Sequence, residues 1–580
     1  MRLNFLSDFQ PVLFQTFKAY NREKFIADVM AGLIVGVVAL PLAIAFGIAS
    51  GVAPERGIYT AIIAGFIISF LGGTSVQIGG PTGAFIVIVY GIVEQYGVQG
   101  LALATVLAGV MLVLMGVLKL GTVIKFIPYP IVVGFTSGIA LTIFSTQIKD
   151  FFGLTTPKLP SGFFEKWMVY FQHFDTVNWS TALIAITTVA IIMLTPKIVK
   201  KIPGSLIAII VMTVAAYLMK SYGNITGIET IGDRFVINNQ LPKLAQIPIN
   251  LESIRLLFPA AFTIAMLGAI ESLLSATVAD GVIGKKHNSN MELVAQGVAN
   301  MVVPFFGGIP ATGAIARTMT NINNGGRTPV AGIIHAVVLL LIVLFLGDLT
   351  KHIPMACLAG VLIVVAYNMS EWRTFISLMK QSRSTMAILL TTFLLTVIFD
   401  LTIAIEVGLL LAVFAFIKRM NESTQVKHTT GKIEITKEME SYSADMKEEV
   451  LYLPHGVEVY EIDGPFFFGV ANKFDEKMRE IGNHPHVRII RMRKVPFIDS
   501  TGLNNLEMLC RKSRKEKIHI ILSGVNDTIR ESLYKSEIPL IVGEENICSN
   551  IHQAVERAKQ IDEGVKKEHQ QKAKNGQQIT

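Results

Sequence analysis

Long apolar runs dominate the first 420 residues of the chain and stop there. A membrane-spanning helix needs about 20 mainly apolar residues, and runs of roughly that length recur throughout this part. They cover residues 29–49, 57–72, 98–118, 126–147, 179–195, 203–219, 256–278, 289–306, 329–347, 353–368, 385–399 and 401–417. Two further apolar stretches, 82–94 and 311–321, follow glycine-rich breaks and are too short or too polar to cross alone. With these two as half-spans, the pattern predicts fourteen membrane elements, an even number that puts both termini on one side.

The rest of the chain has the shorter period of an α/β domain. Residues 457–462 alternate apolar and polar positions, which is typical of a half-buried strand, and Asp463-Gly464-Pro465 ends this strand. Residues 487–490 and 518–522 are further predicted strands, and residues 474–481 a predicted helix. The expected regions are a cytoplasmic N-terminal segment at 1–25, a transmembrane domain at 26–420, a linker at 421–449, an α/β domain at 450–565 and a disordered tail at 566–580.

The composition separates the same two parts. Hydrophobic residues make up 51% of the chain and charged residues 16%, with a mean hydropathy of +0.53. Charged residues account for about 11% of residues 1–420 and about 31% of residues 421–580. The net charge of +8 belongs to the membrane part, so no soluble basic face exists to bind nucleic acid. The three cysteines lack metal-ligand spacing and no catalytic motif occurs, so we expect neither an enzyme nor a metal or cofactor.

Lysine and arginine residues fall in alternate short loops. If the N-terminus is cytoplasmic, the inward loops carry Lys119, Lys125, Lys197, Lys200, Lys201, Lys285, Lys286, Arg327, Arg373, Lys380, Arg383, Lys418 and Arg419. Short cytoplasmic loops carry an excess of positive charge. The pattern therefore predicts a multi-pass protein of the inner (plasma) membrane with both termini in the cytoplasm. The first apolar run is too long for the hydrophobic region of a cleavable signal peptide.

A short glycine-rich motif occurs once in each half of the membrane part. Gly79-Gly80-Pro81-Thr82-Gly83-Ala84 is echoed by Gly307-Gly308-Ile309-Pro310-Ala311-Thr312-Gly313-Ala314, and a short apolar helix follows each copy. Seven elements per half is an odd number, so the second copy enters from the opposite side, as in the inverted repeats of secondary transporters. The two helix N-termini, with free N–H groups and positive dipole ends, then form an anion site. The alternative is that the small residues only let helices pack closely.

Two of the charged residues in the apolar part, Glu271 and Arg317, are candidates for chemistry. Glu271 lies within a strongly apolar span, where a charge costs about 2.5 to 3.5 kcal/mol, and Ser275 projects from the same face one turn further on. Burial favours the neutral form of a carboxyl group, so we expect Glu271 to bind and release a proton. An interhelical hydrogen bond without a role in transport is the alternative. Arg317 either supplies a positive charge to an anion or reaches the membrane surface as an anchor.

Together these residues resemble the sulfate permease (SulP) family, called solute carrier family 26 in animals. The resemblance rests on Leu40-Pro41-Leu42-Ala43-Ile44-Ala45-Phe46, Gly80-Pro81, Glu271-Ser272-Leu273-Leu274-Ser275 and the segment from Pro310 to Arg317, and it covers nearly the whole chain. It implies a seven-plus-seven inverted repeat like that of uracil permease, with a mobile core domain and a gate domain, in a homodimer. It also implies a substrate anion site between the third and tenth elements. The predicted substrate site comprises Phe46, Thr82, Gly83, Ala84, Thr312, Gly313, Ala314 and Arg317.

The C-terminal part resembles a STAS domain (sulfate transporter and anti-sigma factor antagonist). Asp499-Ser500-Thr501-Gly502 is similar to the strand-to-helix signature of that family, in whose bacterial antagonists the Ser/Thr position is phosphorylated. Ser500 and Thr501 are therefore a possible regulatory phosphosite. The alternative is that one of them caps the following helix. The resemblance further implies a cytosolic protein partner for this domain.

Departures from the family pattern bear on the substrate. Several members have Gln where this chain has Leu42. Sodium-coupled bicarbonate transporters of the family have Asp and Thr in place of Glu271 and Ser275, and lack a counterpart of Arg317. Both departures argue against sodium-coupled bicarbonate uptake, but they do not select among sulfate, a dicarboxylate, bicarbonate and a halide.

We therefore expect a secondary active transporter of a small inorganic or carboxylate anion, with the sulfate class favoured. Coupling to protons is assigned to Glu271 and Ser275, and transport to an elevator-type displacement of the core domain. Sodium-coupled bicarbonate uptake and uncoupled anion exchange are the alternatives within transport. From another class, the chain is a membrane sensor that signals through its STAS domain.

Overall fold

The computed structural model describes most of the chain. The described residues are 9–17, 20–124, 127–160, 162–198, 203–222, 227–235, 244–248, 250–399, 401–435, 449–469 and 485–576. Lys125, Lys200 and Lys201 of the basic loops, and the predicted helix at 474–481, lie outside them. The chain forms two compact units, residues 1–412 and 413–580.

The described residues of the first unit form helices and two strands of two residues each. Its elements are α1 Val12–Thr16, α2 Arg22–Ala49, α3 Pro54–Leu71, β1 Gly79–Gly80, α4 Phe85–Val117, α5 Gly121–Ile124, α6 Tyr129–Phe152, α7 Phe163–Gln172, α8 Trp179–Ile198, α9 Gly204–Tyr222, α10 Ile231–Arg234, α11 Leu251–Ile283, α12 Ser289–Val302, β2 Thr312–Gly313, α13 Ile315–Asn323, α14 Val330–Thr350, α15 Met355–Met369, α16 Trp372–Met379, α17 Arg383–Ile398 and α18 Leu401–Ser423. Within the described residues, eight helices are long and apolar enough to cross a membrane.

The predicted fourteen elements in two sets of seven are confirmed. Helix α4 supplies two of them, residues 85–96 and 98–117, because Gly97 interrupts it with φ 69° and ψ −177°. This positive φ suits glycine, which lacks a Cβ. The first set is completed by α2, α3, α6, α8 and α9, and the second consists of α11, α12, α13, α14, α15, α17 and α18.

Side-chain caps fix where several of these helices begin. Asn21 precedes α2 and accepts a hydrogen bond from the Lys24 amide at 2.9 Å. Asn288 precedes α12 and accepts from the Met291 amide at 3.1 Å. Such caps give a hydrogen-bond partner to amides that have none within the helix. Each cap typically stabilises the helix by about 1 kcal/mol. Helix α11 ends at Gly284, whose left-handed φ of 68° closes the last turn.

Helices from the two halves pack against one another through glycines. At the crossing of α4 and α12, a Cβ on Gly109 would lie 2.7 Å from the Gly297 carbonyl oxygen, and one on Gly297 would lie 2.6 Å from the Gly109 oxygen. At the crossing of α2 and α14, a Cβ on Gly32 would lie 2.5 Å from the Ala331 oxygen. Small residues let membrane helices approach this closely, so the two halves share one interior.

The second unit is an α/β domain. Its elements are β3 Gln425–Thr430, β4 Lys432–Ile435, β5 Glu449–Tyr452, β6 Val457–Asp463, β7 Val487–Lys494, α19 Ser500–Lys515, β8 His519–Ser523, α20 Asp527–Tyr534, α21 Ile538–Val542, β9 Ile547–Cys548 and α22 Ile551–Gly576. The main sheet has the order β3-β6-β7-β8-β9, in which β3 is antiparallel to β6 and the other pairs are parallel. Strands β4 and β5 form a separate antiparallel pair.

Strand β6 is buried on both faces, so the prediction of a half-buried strand is wrong. Val457 and Val459 pack in the cluster that contains α22, whereas Tyr460 and Ile462 pack in the cluster that contains α19 and α20. Even Glu458 is only 4% exposed. Helices cover both faces of a largely parallel sheet, which the alternation of side chains in one strand does not reveal.

The predicted linker and tail both need correction. Residues 425–430, placed in the linker, form β3 and pair with β6 from Gln425–Asp463 to Thr430–Glu458. This strand is polar, and its pairing rests on backbone groups. Residues 566–576, expected to be disordered, belong to α22, because Lys, Gln and Ala favour helix and Lys566 reaches Asp562 one turn back at 2.6 Å. Residues 577–580 lie outside the described part.

Candidate functional site

The two glycine-rich motifs meet inside the first unit. Strands β1 and β2 pair antiparallel, with Gly79 opposite Gly313 and Gly80 opposite Thr312. The Ala314 amide extends this pairing by donating to the Ile78 carbonyl at 3.0 Å. Since α4 and α13 begin soon after these strands, at Phe85 and Ile315, the pairing holds the starts of the two broken helices at the same level.

The helix starts differ in which amides are available. Within the described residues, the amides of Gly83 and Ala84 before α4 and of Ile315 and Ala316 in α13 have no hydrogen-bond partner. The amide of Ala314 is engaged by Ile78. Ala314 therefore lies in the site but does not offer its N–H to a ligand, whereas Gly83 and Ala84 do.

Arg317 joins the two motifs. Its side chain is 3% exposed and donates to the Gly79 carbonyl at 3.5 Å and to the Pro81 carbonyl. The guanidinium therefore lies against the first motif and does not extend to the membrane surface. Gly80 accommodates it, because a Cβ there would lie 2.2 Å from Nη1 and the φ of 149° is unfavourable for other residues.

Glu271 contacts the start of the first broken helix. The Thr82 hydroxyl donates to its carboxylate at 2.8 Å. Glu271 retains partial exposure whereas Thr82 is buried. Within the described residues, no ion pair shorter than 4.0 Å joins Glu271 to Arg317. The carboxylate and the guanidinium thus approach the same motif from different sides.

Ser275 and Thr312 are buried but do not contact Glu271. The Ser275 hydroxyl lies 3.4 Å from that of Thr318 on α13. The Thr312 hydroxyl donates to the Gly268 carbonyl of α11 at 2.9 Å. Both side chains tie α11 to the second motif, and Ser275 lies one turn away from the carboxyl group that it was expected to assist.

Phe46 and Gly83 line a tight apolar space. A Cβ on Gly83 would lie 3.6 Å from the Phe46 ring, 3.5 Å from Ile143 Cδ1 of α6 and 3.6 Å from Met369 Sδ of α15. Gly83 is therefore next to helices outside the glycine-rich motifs.

Sequence reasoning missed the rest of the polar face of α13. Thr318 Oγ1 accepts from the Ile78 amide at 3.1 Å, and Asn321 Nδ2 donates to the Val76 carbonyl at 2.9 Å. Thr318 and Asn321 thus bind the extended chain before β1, while Arg317 binds Gly79 within β1 and Pro81 after it. Their spacing of one and four residues places them on one helix face, and three polar residues on one face of a membrane helix could have revealed them.

A second missed group lies on α12. Glu292, Gln296 and Asn300 are fully buried and follow one another at intervals of four residues. Glu292 accepts from the Gly73 amide at 3.0 Å, while Asn300 exchanges two hydrogen bonds with the Ala311 backbone at 2.8 and 2.9 Å. Helix α12 thus binds the chain before the first motif and the chain of the second motif. The interval of four residues between these polar side chains is visible in the sequence.

In the second unit, the start of α19 is capped by Asp499. Its carboxylate accepts from the Gly502 amide at 2.7 Å. The expectation that Ser500 or Thr501 supplies the cap is therefore wrong. Both residues are exposed in the first turn of the helix, where hydroxyl groups are accessible.

Two broken helices at one level, halves of opposite orientation, and a carboxyl and a guanidinium beside the breaks define a secondary transporter. The chain belongs to the sulfate permease family. Residues 25–392 match that family and residues 450–554 match the STAS domain. Members of this family are transporters and not enzymes, as predicted.

Several known proteins are similar over most of the chain. The "Putative sulfate transporter YvdB" of Bacillus subtilis is 41% identical over 91% of this chain and 97% of its own. The bicarbonate transporter BicA of Picosynechococcus is 30% identical over 88% of this chain and 90% of its own. The relatives of this chain are therefore named for two different anions, sulfate and bicarbonate.

Solved structures share the fold. The murine anion transporter Slc26a9, in an inward-facing state, superimposes with a TM-score of 0.83 at 19% identity, over 96% of this chain and 95% of its own. The transmembrane domain of a cyanobacterial BicA gives a TM-score of 0.60 at 31% identity, over 67% of this chain and 98% of its own. The predicted fold, a helical membrane transporter followed by a STAS domain, is confirmed.

Proposed function

We propose that the chain is a proton-coupled symporter of a small anion, with Glu271 as the group that binds the proton. The observation that carries this proposal is the hydrogen bond of 2.8 Å from the Thr82 hydroxyl to the Glu271 carboxylate. It connects an acidic side chain beside the breaks to Thr82 of the predicted anion site.

This hydrogen bond gives the proton a direct effect on the anion. While Glu271 is ionised, the Thr82 hydroxyl points to it and the negative charge repels an incoming anion. A like-charge contact at about 4 Å costs roughly 4 kcal/mol at an effective dielectric constant of 20. When Glu271 takes up a proton, the repulsion ends and the Thr82 hydroxyl is free to donate to the anion beside the amides of Gly83 and Ala84.

Arg317 supplies a fixed positive charge to the same place. It is buried against the Gly79 and Pro81 carbonyls, so its charge is not screened by bulk water. Together with the N-terminal ends of α4 and α13, it favours an anion over a neutral solute. A proton on Glu271 and an anion at Thr82 thus bind together.

The packing of the helices supports an elevator-type displacement. Helices α2, α3, α4 and α11–α14 pack mainly on one another, and α6 packs mainly on α15 and α17, with α8 on α15. Few contacts join these two groups. The site residues lie in the first group, except for the neighbouring Ile143 and Met369, so a movement of that group carries the anion with it.

We favour the sulfate class as substrate, because the 41% identical relative is named for sulfate. Bicarbonate, for which the BicA relatives are named, is the competing substrate, with sodium coupling or uncoupled exchange as the competing mechanisms. We also place both termini in the cytoplasm of a dimeric protein, on the basic loops and on family resemblance.

The test is uptake into proteoliposomes of labelled sulfate, bicarbonate, fumarate and chloride, each with and without pH and sodium gradients. For wild type, we expect an inward proton gradient to accelerate uptake at least about tenfold, whereas a sodium gradient has no effect. Glu271→Gln should still bind the anion but take it up at one rate with or without the pH gradient. Glu406→Gln, which changes an exposed carboxylate on α18, is the control. Unchanged pH-driven uptake in Glu271→Gln would contradict the mechanism.

A regulatory role of the STAS domain is a second candidate, favoured by the exposure of Ser500 and Thr501 at the start of α19. A phosphate there would lie at a helix N-terminus, where negative charge is stabilised. The check is whether Ser500→Glu with Thr501→Glu changes the binding of cytosolic proteins. If no anion moves and this variant alters a partner complex, the chain is a sensor.

A further inference from the structure

A cavity lies away from the two motifs, at the far end of α2. It has a volume of about 150 Å³ and is lined by the ends of α2, α6 and α15, by Tyr90 of α4 and by connecting segments. We call it the vestibule and define it by Ala49, Tyr90, Gln147, Asp150, Lys166 and Arg234. A water molecule needs about 10 to 15 Å³ on the same measure, so the vestibule can hold a small anion together with several waters.

Lys166 reaches the vestibule from α7, an amphipathic helix whose apolar side chains are exposed and whose lysine is buried. On α7, Phe164, Met168 and Phe171 are 64%, 62% and 74% exposed, whereas Lys166 is 3% exposed. Lysines at membrane surfaces normally extend their ammonium group to water or headgroups. Here the apolar residues face outward and the lysine faces into the protein, at a cost in desolvation that packing alone does not explain.

Among the residues that the structure describes, the other charges around the vestibule form ion pairs, and Lys166 does not. Arg234 contacts Asp150 at 2.9 Å and Glu229 at 2.5 Å, and Lys158 lies 3.7 Å from Glu94.

Within the described residues, the Lys166 ammonium has no ion pair or hydrogen bond, and lies 5.5 Å from the centre of the Tyr90 ring. Burial lowers the pKa of Lys166, and the carboxylate of Glu94 opposes this effect. The cavity thus contains one cation without a fixed counter-ion.

The vestibule and the proposed substrate site lie along the same helices. Gln147 is one turn beyond Ile143 on α6, a rise of about 6 Å. Tyr90 is seven residues beyond Gly83, and Ala49 is one turn beyond Phe46. An anion that leaves the vestibule towards the breaks therefore passes between α2, α4 and α6 and meets Gly83.

We propose that the vestibule is an additional anion site, in which the Lys166 ammonium holds a small inorganic oxyanion before it reaches Thr82. The proposal rests on the proposed anion transport, since the site is useful only if an anion passes through. A cation near the entrance raises the local concentration of anions and the rate at which they arrive. Lys166 therefore determines the apparent KM on the vestibule side.

The first test measures uptake of labelled sulfate and of labelled bicarbonate in oriented vesicles. For Lys166→Gln we expect the apparent KM on the vestibule side to rise about tenfold, with Vmax within about twofold of wild type and the KM from the opposite side unchanged. Lys166→Arg should restore the KM. Lys158→Gln, which removes an exposed cation from the same connecting segment, is the matched control. An unchanged KM in Lys166→Gln overturns the proposal.

The second test needs no transport. Wild-type protein is treated with an amine-reactive reagent, and modification of each lysine is followed by mass spectrometry in 0 and 50 mM sulfate. We expect sulfate to slow modification of Lys166 at least about threefold and to leave Lys158 unaffected. Equal rates at Lys166 overturn the vestibule site. Protection of Lys166 in a protein that moves no anion supports the site and overturns the proposed transport function.

Discussion

The two broken segments have the same backbone plan and opposite chemical roles. The first, around Gly79 to Thr82, has no charged side chain, and its carbonyls and amides are bound by groups from elsewhere. The second supplies those groups from the polar face of α13. In return, the first segment contacts Glu271 through Thr82. The inverted repeat thus makes the two backbones similar, but the side chains have different roles. The second segment holds the first in place, and the first segment contacts the carboxylate.

Removal of Arg317 is expected to have the largest effect. Arg317→Ala leaves the buried Gly79 and Pro81 carbonyls without this partner, which costs roughly 3 to 5 kcal/mol. We expect loss of measurable uptake and a lower midpoint of thermal unfolding in detergent. Arg317→Lys keeps the charge but not the planar fork, so it should recover only part of the stability.

The control for Arg317→Ala is Arg383→Ala, which removes an exposed arginine at the start of α17. It should leave both the unfolding midpoint and uptake unchanged. If Arg317→Ala unfolds at the wild-type temperature, the supporting role of α13 is refuted.

Removal of the Thr318 hydroxyl is expected to have an intermediate effect. Thr318→Val keeps the shape but leaves the Ile78 amide without its partner at 3.1 Å, at a cost of about 1 to 3 kcal/mol. The unfolding midpoint should fall and uptake should weaken.

The matched change in the other half is Thr105→Val. The Thr105 hydroxyl is also buried, but it donates only to Leu101 within its own helix. Its loss should cost less than about 1 kcal/mol. Equal destabilisation by the two variants would show that the two halves are not divided in this way.

Gly83→Ala is expected to change stability least. A methyl group there would lie 3.5 Å or more from its neighbours, so the free energy of unfolding should change by no more than about 0.5 kcal/mol. It would nevertheless narrow the space beside Phe46, and we expect the KM for the anion to rise. The control is Gly91→Ala in the interior of α4, where a methyl group has open space; it should leave the KM unchanged and raise the stability by up to about 1 kcal/mol. A KM unchanged in Gly83→Ala would remove Gly83 from the site.

The features that could be predicted from the sequence are those that occur twice and those that are energetically costly in an apolar span. Glu271 and Arg317 stood out because charges are rare in apolar spans, and the two motifs because they occur twice. The partners of Arg317 did not, since its contacts with Gly79 and Pro81 join residues 238 and 236 positions apart. No local pattern encodes which carbonyl a buried guanidinium reaches.

The polar strand β3 and the polar end of helix α22 were also predicted wrongly. Strand β3 has no apolar run and pairs through its backbone with β6. Helix α22 continues into a polar stretch that composition alone assigns to disorder. In both places the interactions that decide the structure are backbone pairing and contacts one turn apart, which a count of apolar residues does not detect.

The single-residue break at Gly97 has a mechanical consequence. Consecutive Cα atoms are about 3.8 Å apart, so the chain cannot lengthen between residues 85–96 and 98–117, but the angle between these two segments can change at Gly97. The second segment is packed closely on α12 where Gly109 meets Gly297. A displacement of the end of α4 beside Thr82 therefore either changes the angle at Gly97 or moves the second segment together with α12.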